Sequence, residues 1–409
     1  MLTLKQHLVE EQNTHMEHIE DLIFNDGVNG TRQAINFLRD LRDMLAGKSQ
    51  KAINMTVKWD GAPAIFAGVD PADKKFFVAK KGLFNINPIM YKSVDDIKND
   101  NKLQPELKKK FEIAYKQFSK LGIRRGVYQG DLMFTKGDVK SEQIDGKSYY
   151  TFHPNTILYA VDASSDLGKF INRAQIGVVW HTTYSGRSIK DMKASFGKDI
   201  VSKFRKNRNV WMDDATYKDV SGSATFTADE TAAITSILSQ AGSTFRRIDG
   251  DVLRTIAADK ELKQKIKTYN NTYVRSGEPF PNPKSHTTGL YKYIQDWYQK
   301  EIDKKKTQKA KDDWSQKRDN IMAKIFSKTD DLVNIFTLMN QIVDAKQMVV
   351  DKLNKAEGLG TFLRTSNGFK TTNREGYVAI DSSDAVKLVD RLEFSRANFS
   401  PEIIKGWQK

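Results

Sequence analysis

A lysine followed two residues later by aspartate and glycine lies near residue 60 and could carry covalent chemistry. The segment reads Val57-Lys58-Trp59-Asp60-Gly61. We interpret residues 53–57 as a buried strand that ends at this lysine. Burial and a neighbouring cation can lower the pKa of a lysine until its neutral amine attacks phosphorus. The same letters also suit a strand that ends in an Asp-Gly turn without any chemistry.

Two strand-like segments downstream carry the next residues of interest. Residues 127–134 alternate apolar side chains with glycine, which would place Asp131 in a cleft beside a ligand. Residues 156–162 form an apolar strand whose aromatic residue, Tyr159, is able to stack on a base.

The last two segments lie near the carboxyl end of the sequence. Glu375 and Gly376 open one of them, and Lys387 lies among apolar residues in the other, at 385–389. A lysine is costly to bury without an anion beside it. A phosphate partner for Lys387 is therefore physically sensible.

In this order the five segments resemble the covalent nucleotidyltransferase superfamily, which includes ATP-dependent RNA and DNA ligases and messenger-RNA capping enzymes. The superfamily has a Lys-x-Asp-Gly nucleophile, a Gly-acid-Leu strand, an aromatic strand near Asp, an acid-Gly-apolar strand and a Lys strand. The matching residues are, in turn, 58–61, 130–132, 159–162, 375–378 and 386–388. The whole chain, including 152–155 and 180–184, also looks like uncharacterised ligase-like proteins encoded by large tailed phages.

The resemblance implies that Lys58 attacks the α-phosphorus of ATP and becomes lysyl-AMP. The adenylate would then activate a nucleic-acid 5′-phosphate for joining to a 3′-hydroxyl. Lys387 would contact the α-phosphate and keep the Lys58 amine neutral by repulsion. Asp131 and Glu375 would hold Mg²⁺ or Mn²⁺, or contact the ribose.

The resemblance implies further contacts with the nucleotide and the nucleic acid. Val57 would line the nucleotide site, and Asp60 would order its loop or contact the ribose. Tyr159 would stack on adenine. Lys80 and Lys81 lie where the superfamily has a basic segment that contacts the nucleic acid.

The sequence extends only about 20 residues beyond Lys387, so we expect no OB-fold of the kind that DNA ligases and capping enzymes carry there. RNA is therefore the favoured substrate and DNA a possible one. One alternative is a DNA ligase whose helical insertion replaces the OB domain. Another is a non-catalytic nucleic-acid-binding or virion protein with a ligase-like fold.

The composition limits the classes of protein that fit this interpretation. The 409 residues include 66 Lys and Arg against 51 Asp and Glu, a net charge of +15, which favours a polyanionic partner. The absence of cysteine excludes disulfides, thiolate zinc sites and cysteine nucleophiles. The sequence contains no apolar run of membrane-spanning length, and we expect no signal peptide. We expect a monomer in the cytoplasm, the host cell's if the protein is phage-encoded.

The residue pattern predicts an α+β protein. We expect an N-terminal helical segment at 1–48, a nucleotidyltransferase domain of antiparallel sheets with helices at 49–190 and 365–409, and an inserted, basic, all-helical domain at 191–364. Strands are predicted at 62–68, 75–79, 126–134, 149–161 and 176–183, a closing hairpin at 371–381 and 385–394, and helices at 105–121, 232–238, 252–266, 290–310 and 321–353.

Positive charge is concentrated in the predicted helices. Residues 260–328 contain 17 Lys and Arg against 8 acids, with several aromatic residues interleaved. Such a surface suits phosphates and stacked bases. It equally suits a solvated helix face whose aromatic residues point into the domain's own core.

Overall fold

The computed structural model describes residues 17–48, 54–196, 199–215, 225–354, 360–366, 368–381 and 384–407. The strands of these ranges are β1 (Asn54–Lys58), β2 (Ala64–Val69), β3 (Phe76–Lys80), β4 (Val127–Thr135), β5 (Lys140–Ile144), β6 (Lys147–Phe152), β7 (Ile157–Asp162), β8 (Ile176–Ser185), β9 (Lys193–Phe196), β10 (Val210–Asp214), β11 (Gly360–Thr365), β12 (Gly368–Thr371), β13 (Gly376–Asp381), β14 (Asp384–Leu388) and β15 (Ile403–Ile404).

The α-helices of the same ranges alternate with the strands in the first half of the chain and follow one another in the second. They are α1 (Leu22–Leu45), α2 (Val94–Asn99), α3 (Pro105–Phe118), α4 (Asp166–Arg173), α5 (Ala228–Arg247), α6 (Gly250–Ala258), α7 (Lys260–Ser276), α8 (Pro283–Asp303), α9 (Gln308–Phe326), α10 (Thr329–Asn354) and α11 (Arg396–Phe399).

The strands form three sheets. The small sheet has the order β1-β13-β14, and the central sheet has the order β10-β8-β4-β2-β3 with β9 beside β8. The third sheet has the order β12-β11-β7-β6-β5 with β15 beside β11. Neighbouring strands are antiparallel except β8 and β10. The expected mixture of α and β structure with antiparallel sheets is therefore confirmed.

The helices α1 and α5 to α10 share one apolar core. The small sheet closes one side of this core with Tyr377, Ala379, Val386 and Leu388. Helix α1 therefore packs with the inserted helices rather than standing apart as a separate segment. Its approach to α6 requires glycine at position 27, because a Cβ there would lie 2.8 Å from the Leu253 carbonyl oxygen and the residue has a φ of 56°.

Several predicted elements differ from the observed ones. The helices of the insertion begin at Ala228 rather than at 191, since β9 and β10 extend the central sheet beside β8. The predicted helix at 252–266 is two helices, because the Asp259 side chain accepts hydrogen bonds from two backbone amides and caps α7. The predicted helix at 290–310 begins earlier, as α8, because Asn282 caps it and Pro283 occupies its first turn. Residues 1–16 of the predicted N-terminal segment lie outside the described residues.

Candidate active site

Lys58 and Glu375 meet at the edge of the small sheet. Strands β1 and β13 pair antiparallel with Lys58 opposite Gly376, which brings the preceding residue, Glu375, beside the lysine. Nζ of Lys58 donates a hydrogen bond to Oε1 of Glu375 and forms an ion pair with it. The side chains are 28% and 10% exposed, respectively. The partly buried Lys58 amine is thus paired with a carboxylate that is largely buried.

Asp131 and Lys387 face the same ion pair from two other strands. Gly61 lies directly on β4, where a Cβ would be 2.5 Å from the Cβ of Asp131. Asp131 attracts the Lys58 ammonium, and Lys387 interacts electrostatically with both Lys58 and Glu375. Lys387 lies in β14 opposite Val378 of β13. Four predicted site residues from distant parts of the chain are therefore brought together.

The pKa of Lys58 differs from the expectation of a neutral amine. Burial would lower it, but the charge and hydrogen bond of Glu375, together with the charges of Asp131 and Asp60, outweigh burial and raise the pKa above its usual value. The amine is therefore protonated in this arrangement. Burial and the repulsion from Lys58 instead lower the pKa of Lys387.

Glu375 is the carboxyl group of the site that titrates near neutral pH. Burial raises its pKa to about 7, and repulsion from Asp60 and Asp131 adds to this effect while Lys58 opposes it. The site therefore contains three carboxylates, Asp60, Asp131 and Glu375, near two lysine side chains, Lys58 and Lys387. Such a site favours an added cation or proton.

Asp60 is buried and holds the loop that carries it. Its carboxylate accepts hydrogen bonds from Nδ2 of Asn155 (2.8 Å) and from the backbone amides of Thr156 (2.6 Å) and Ile157 (2.7 Å). Burial raises its pKa, and these hydrogen bonds oppose the shift. Of the two roles considered for Asp60, these contacts support the ordering of the loop.

Tyr159 lies in the core behind the site and is only 3% exposed. Its hydroxyl accepts a hydrogen bond from the backbone amide of Asp60 (2.9 Å). The ring is stacked on Phe152 at 5.4 Å and contacts Trp59 at 5.3 Å between centroids. Stacking of Tyr159 on adenine stays a prediction. Trp59, which contacts Tyr159, is the less buried of these two residues.

A pocket opens beside Lys58. It is a shallow depression whose space of about 230 Å³ includes open solvent, and it is lined by Val57, Lys58, Trp59, Tyr159, Thr361 and Arg374. Sequence reasoning did not single out Trp59, Thr361 or Arg374. Trp59 stands inside the Lys-x-Asp-Gly segment, and Arg374 directly precedes Glu375. Their places beside predicted site residues were the sequence features that could have identified them as pocket residues.

Two further candidate lysines and two histidines come from other parts of the sheets and their loops. Lys80 ends β3 opposite Ile65, and Lys81 is exposed in the turn that follows. Nε2 of His181 lies 3.8 Å from Oδ2 of Asp131, so this histidine borders the site. His153 is mostly buried, and burial lowers its pKa to about 4.

The basic helices are α7, α8 and α9, and most of their aromatic side chains pack against other parts of the protein. Tyr298 is fully buried, and Nζ of Lys265 lies 3.5 Å from the ring centre of Trp297. Lys305 covers Trp314 in the same way at 3.9 Å. These contacts support the interpretation in which the aromatic residues belong to the core of the helices.

The described residues also bear on metal binding and on membranes. Within those ranges, no group of three or more His, Asp or Glu side chains is arranged to hold a metal ion. None of the helices described is both long enough and apolar enough to cross a bilayer.

The fold and site together define a mixed α and β protein with an ionic site where its sheets meet. The model of a family of unknown function, DUF6267, matches residues 13–403, and the chain belongs to that family. No curated protein and no solved structure matches the chain.

Proposed function

We propose that the protein is an ATP-dependent polynucleotide ligase, with RNA favoured over DNA, that works through lysyl-AMP on Lys58. The observation that carries the proposal is the convergence of Lys58, Asp131, Glu375 and Lys387 beside a pocket. Nucleotidyl transfer depends on positioning the phosphate and neutralising its oxygens. One further cation, Lys387, and two carboxylates around Lys58 supply those functions. The resemblance of the five sequence segments supports the same reaction.

The reaction has three steps. Nζ of Lys58 loses a proton and attacks the α-phosphorus of ATP, so that an N–P bond forms while pyrophosphate leaves. An oxygen of a nucleic-acid 5′-phosphate then attacks that phosphorus, which breaks the N–P bond and transfers AMP to the end. A 3′-hydroxyl finally attacks the activated 5′-phosphate, and AMP leaves as the phosphodiester forms.

Lys58 must leave its ion pair before it reacts, because an ammonium group is not a nucleophile. Glu375 helps this release, since a carboxyl with a pKa of about 7 is partly protonated at neutral pH and then holds Lys58 weakly. Lys387 favours the same release by repulsion. Once released, the amine is free to turn toward the pocket.

Asp131 and Glu375 are the residues that would hold Mg²⁺ or Mn²⁺. Mg²⁺ is commonly bound by one or two carboxylates and completed by substrate phosphates and water, so two carboxylates fit this ion. When bound, the ion supplies positive charge to the phosphate oxygens.

Incubation with α-³²P-labelled ATP and Mg²⁺, followed by denaturing electrophoresis, tests the proposal. We expect label on the wild-type protein and on Lys120→Ala, which removes an exposed lysine outside the site, but not on Lys58→Ala. Release of the label on addition of a nicked RNA duplex supports ligation. Label from GTP alone would indicate a capping-type guanylyltransferase, and no label from either nucleotide would contradict the proposal.

A second candidate is a non-catalytic nucleic-acid-binding protein. The observation that favours it is the ion pair of Lys58 with Glu375, since a protonated and paired lysine also suits a purely structural role. The labelling experiment separates the two candidates.

A further inference from the structure

Two adjacent loops on the central sheet carry a dense group of positive charges. Residues 119–125 contain Lys120, Arg124 and Arg125, and residues 201–209 contain Lys203, Arg205, Lys206 and Arg208. Neither stretch contains an aspartate or a glutamate. We call these seven side chains the loop patch.

The two loops are fixed to each other. The backbone amide of Arg205 donates a hydrogen bond to the Leu121 carbonyl at 2.8 Å, and the Arg205 side chain packs on Gly122. Between the charges, Phe204 is buried against Tyr128 at 4.9 Å and Trp180 at 5.4 Å between ring centres. The positions of the charges are therefore set by a packed hydrophobic anchor.

The charges of the loop patch are uncompensated. All seven side chains belong to exposed residues, and none of them forms an ion pair with any residue that the structure describes. Placing seven like charges close together costs repulsion energy that a bound polyanion would relieve. An arrangement of this kind favours a ligand with regularly spaced negative charges.

The basic helices present a different situation. Lys267 pairs with Glu17 at 2.9 Å, Lys304 with Glu301 at 2.7 Å, and Lys317 with Glu261. Lys265 and Lys305 lie over tryptophan rings. Much of the charge in this region is therefore engaged within the protein.

We propose that the loop patch binds the phosphate backbone of a polynucleotide. Lysine and arginine side chains are common partners of phosphate oxygens. The neighbouring hydroxyls of Ser119 and Ser202 already donate to the carbonyls of Lys116 and Asp199, so the cations would carry the binding. Insertion into a lipid surface would need exposed apolar residues among the cations. The large exposed apolar residues of the described chain, such as Ile86 and Leu392, lie in other segments.

The loop patch lies on the face of the central sheet opposite to the candidate active site. Successive side chains of a strand point to opposite faces. Leu132 and Trp180 share a core cluster with Phe204, whereas Asp131 faces Gly61. The surface would therefore hold a part of the polynucleotide distant from the reacting ends. This inference deepens the proposed function, but binding here does not require the chemistry of Lys58.

The test compares two fourfold variants of the full chain. The loop variant carries Lys120→Ala, Arg124→Ala, Lys206→Ala and Arg208→Ala. The helix variant carries Lys292→Ala, Lys300→Ala, Lys306→Ala and Lys309→Ala, four exposed lysines of α8, α9 and the loop between them. Both sets lower the net charge by the same four units, and thermal melting checks that both variants are folded.

Binding of a fluorescein-labelled 20-nucleotide single-stranded RNA is measured by anisotropy at several salt concentrations without divalent cations. We expect the loop variant to bind at least about tenfold more weakly. The slope of log K against log salt should decrease in magnitude by about 2 to 3, as expected for the loss of four phosphate contacts on a single strand. The helix variant should bind almost like the wild type.

Equal losses in both variants, no loss in the loop variant, or no RNA binding by the wild type would each overturn the inference. Loss of binding to phosphatidylserine vesicles with unchanged RNA binding would overturn it too and indicate a membrane. Lys58→Ala separates the two proposals. Retained RNA binding by this variant would show that the loop patch does not need Lys58. If the wild type binds RNA but takes no label from ATP, the ligase proposal fails while the loop patch stands.

Discussion

Lys58 and Glu375 form an ion pair although 317 residues separate them in the sequence. The pair exists because β1, near the start of the described chain, is hydrogen-bonded to β13 near its end. The site therefore forms only when the two parts of the chain have folded together. The lysine that would act as nucleophile and the carboxylate that would hold the cation are coupled before any ligand binds.

The first prediction concerns pH and Glu375. Burial raises its folded-state pKa from 4.5 to about 7, so the folded protein binds more protons than the unfolded chain between these values. The stabilisation that Glu375 gives to the folded state is therefore fully present below about pH 4.5 and is lost as the pH rises through about 7. We expect the free energy of unfolding to fall by roughly 3 kcal/mol over this range. Urea denaturation at pH 5 and pH 7.5 measures this change.

Glu375→Gln is the matched variant, because glutamine cannot titrate. The difference in unfolding free energy between wild type and variant should shift in favour of the variant as the pH rises. Parallel pH profiles for the two proteins would mean that Glu375 does not titrate in this range.

The second prediction concerns Asp60, whose carboxylate accepts three hydrogen bonds within the protein. Asp60→Ala leaves the amides of Thr156 and Ile157 without their acceptor, and we expect a loss of about 2–4 kcal/mol in unfolding free energy. Urea denaturation with tryptophan fluorescence measures it. A stability equal to wild type, together with a higher ATP requirement for labelling, would instead indicate that Asp60 contacts the nucleotide.

The clustering of four charged groups is the part of the site that the sequence made visible. Asp131 and Lys387 each have apolar neighbours in their strands, where a charge without a partner is costly to bury. The partnership of Lys58 with Glu375 was not visible, because strand register between distant segments leaves no local pattern. The interpretation of 191–215 as helical failed for a similar reason, since β10 is defined by pairing with β8. The roles of Tyr159, Lys80 and Lys81 stay predictions.

The basic helices show a second limit of what can be predicted from the sequence. Aromatic residues at helical spacing among lysines suit both an exposed stacking surface and a core whose rim is charged. Only the packing of α8 and α9 decides between these alternatives, because Trp297 and Trp314 contact each other and are covered by lysine side chains.

The third prediction concerns Arg374, which lines the pocket beside Lys58. A guanidinium at this place would bind phosphate oxygens of the nucleotide through charge-assisted hydrogen bonds. Arg374→Ala should raise the ATP concentration for half-maximal labelling by about tenfold, which corresponds to about 1.4 kcal/mol. Arg374→Lys should recover part of the loss, and Arg187→Ala, at an exposed position, should have no effect. An unchanged ATP requirement in Arg374→Ala would remove this residue from the nucleotide site.

The fourth prediction concerns a buried ion pair between the helices and the start of the described chain. Lys346 of α10 is 1% exposed, and its Nζ lies 2.9 Å from Oε1 of Glu20. Burial would raise the pKa of Glu20, but Lys346, His18 and Arg391 outweigh it and lower the pKa to about 2. The network lies next to the site, because the backbone amide of Lys387 donates a hydrogen bond to the Glu17 carbonyl at 3.0 Å.

Removing one member of this pair leaves a buried charge poorly compensated. We expect Lys346→Met to cost about 3–5 kcal/mol of unfolding free energy at pH 7. In the double variant Glu20→Leu with Lys346→Met, much of that loss should be recovered, because neither charge is then buried alone. Urea denaturation of the two single variants and the double variant gives the coupling energy. Additive losses would mean that Arg391 alone compensates Glu20 and that Lys346 has no electrostatic role in the network.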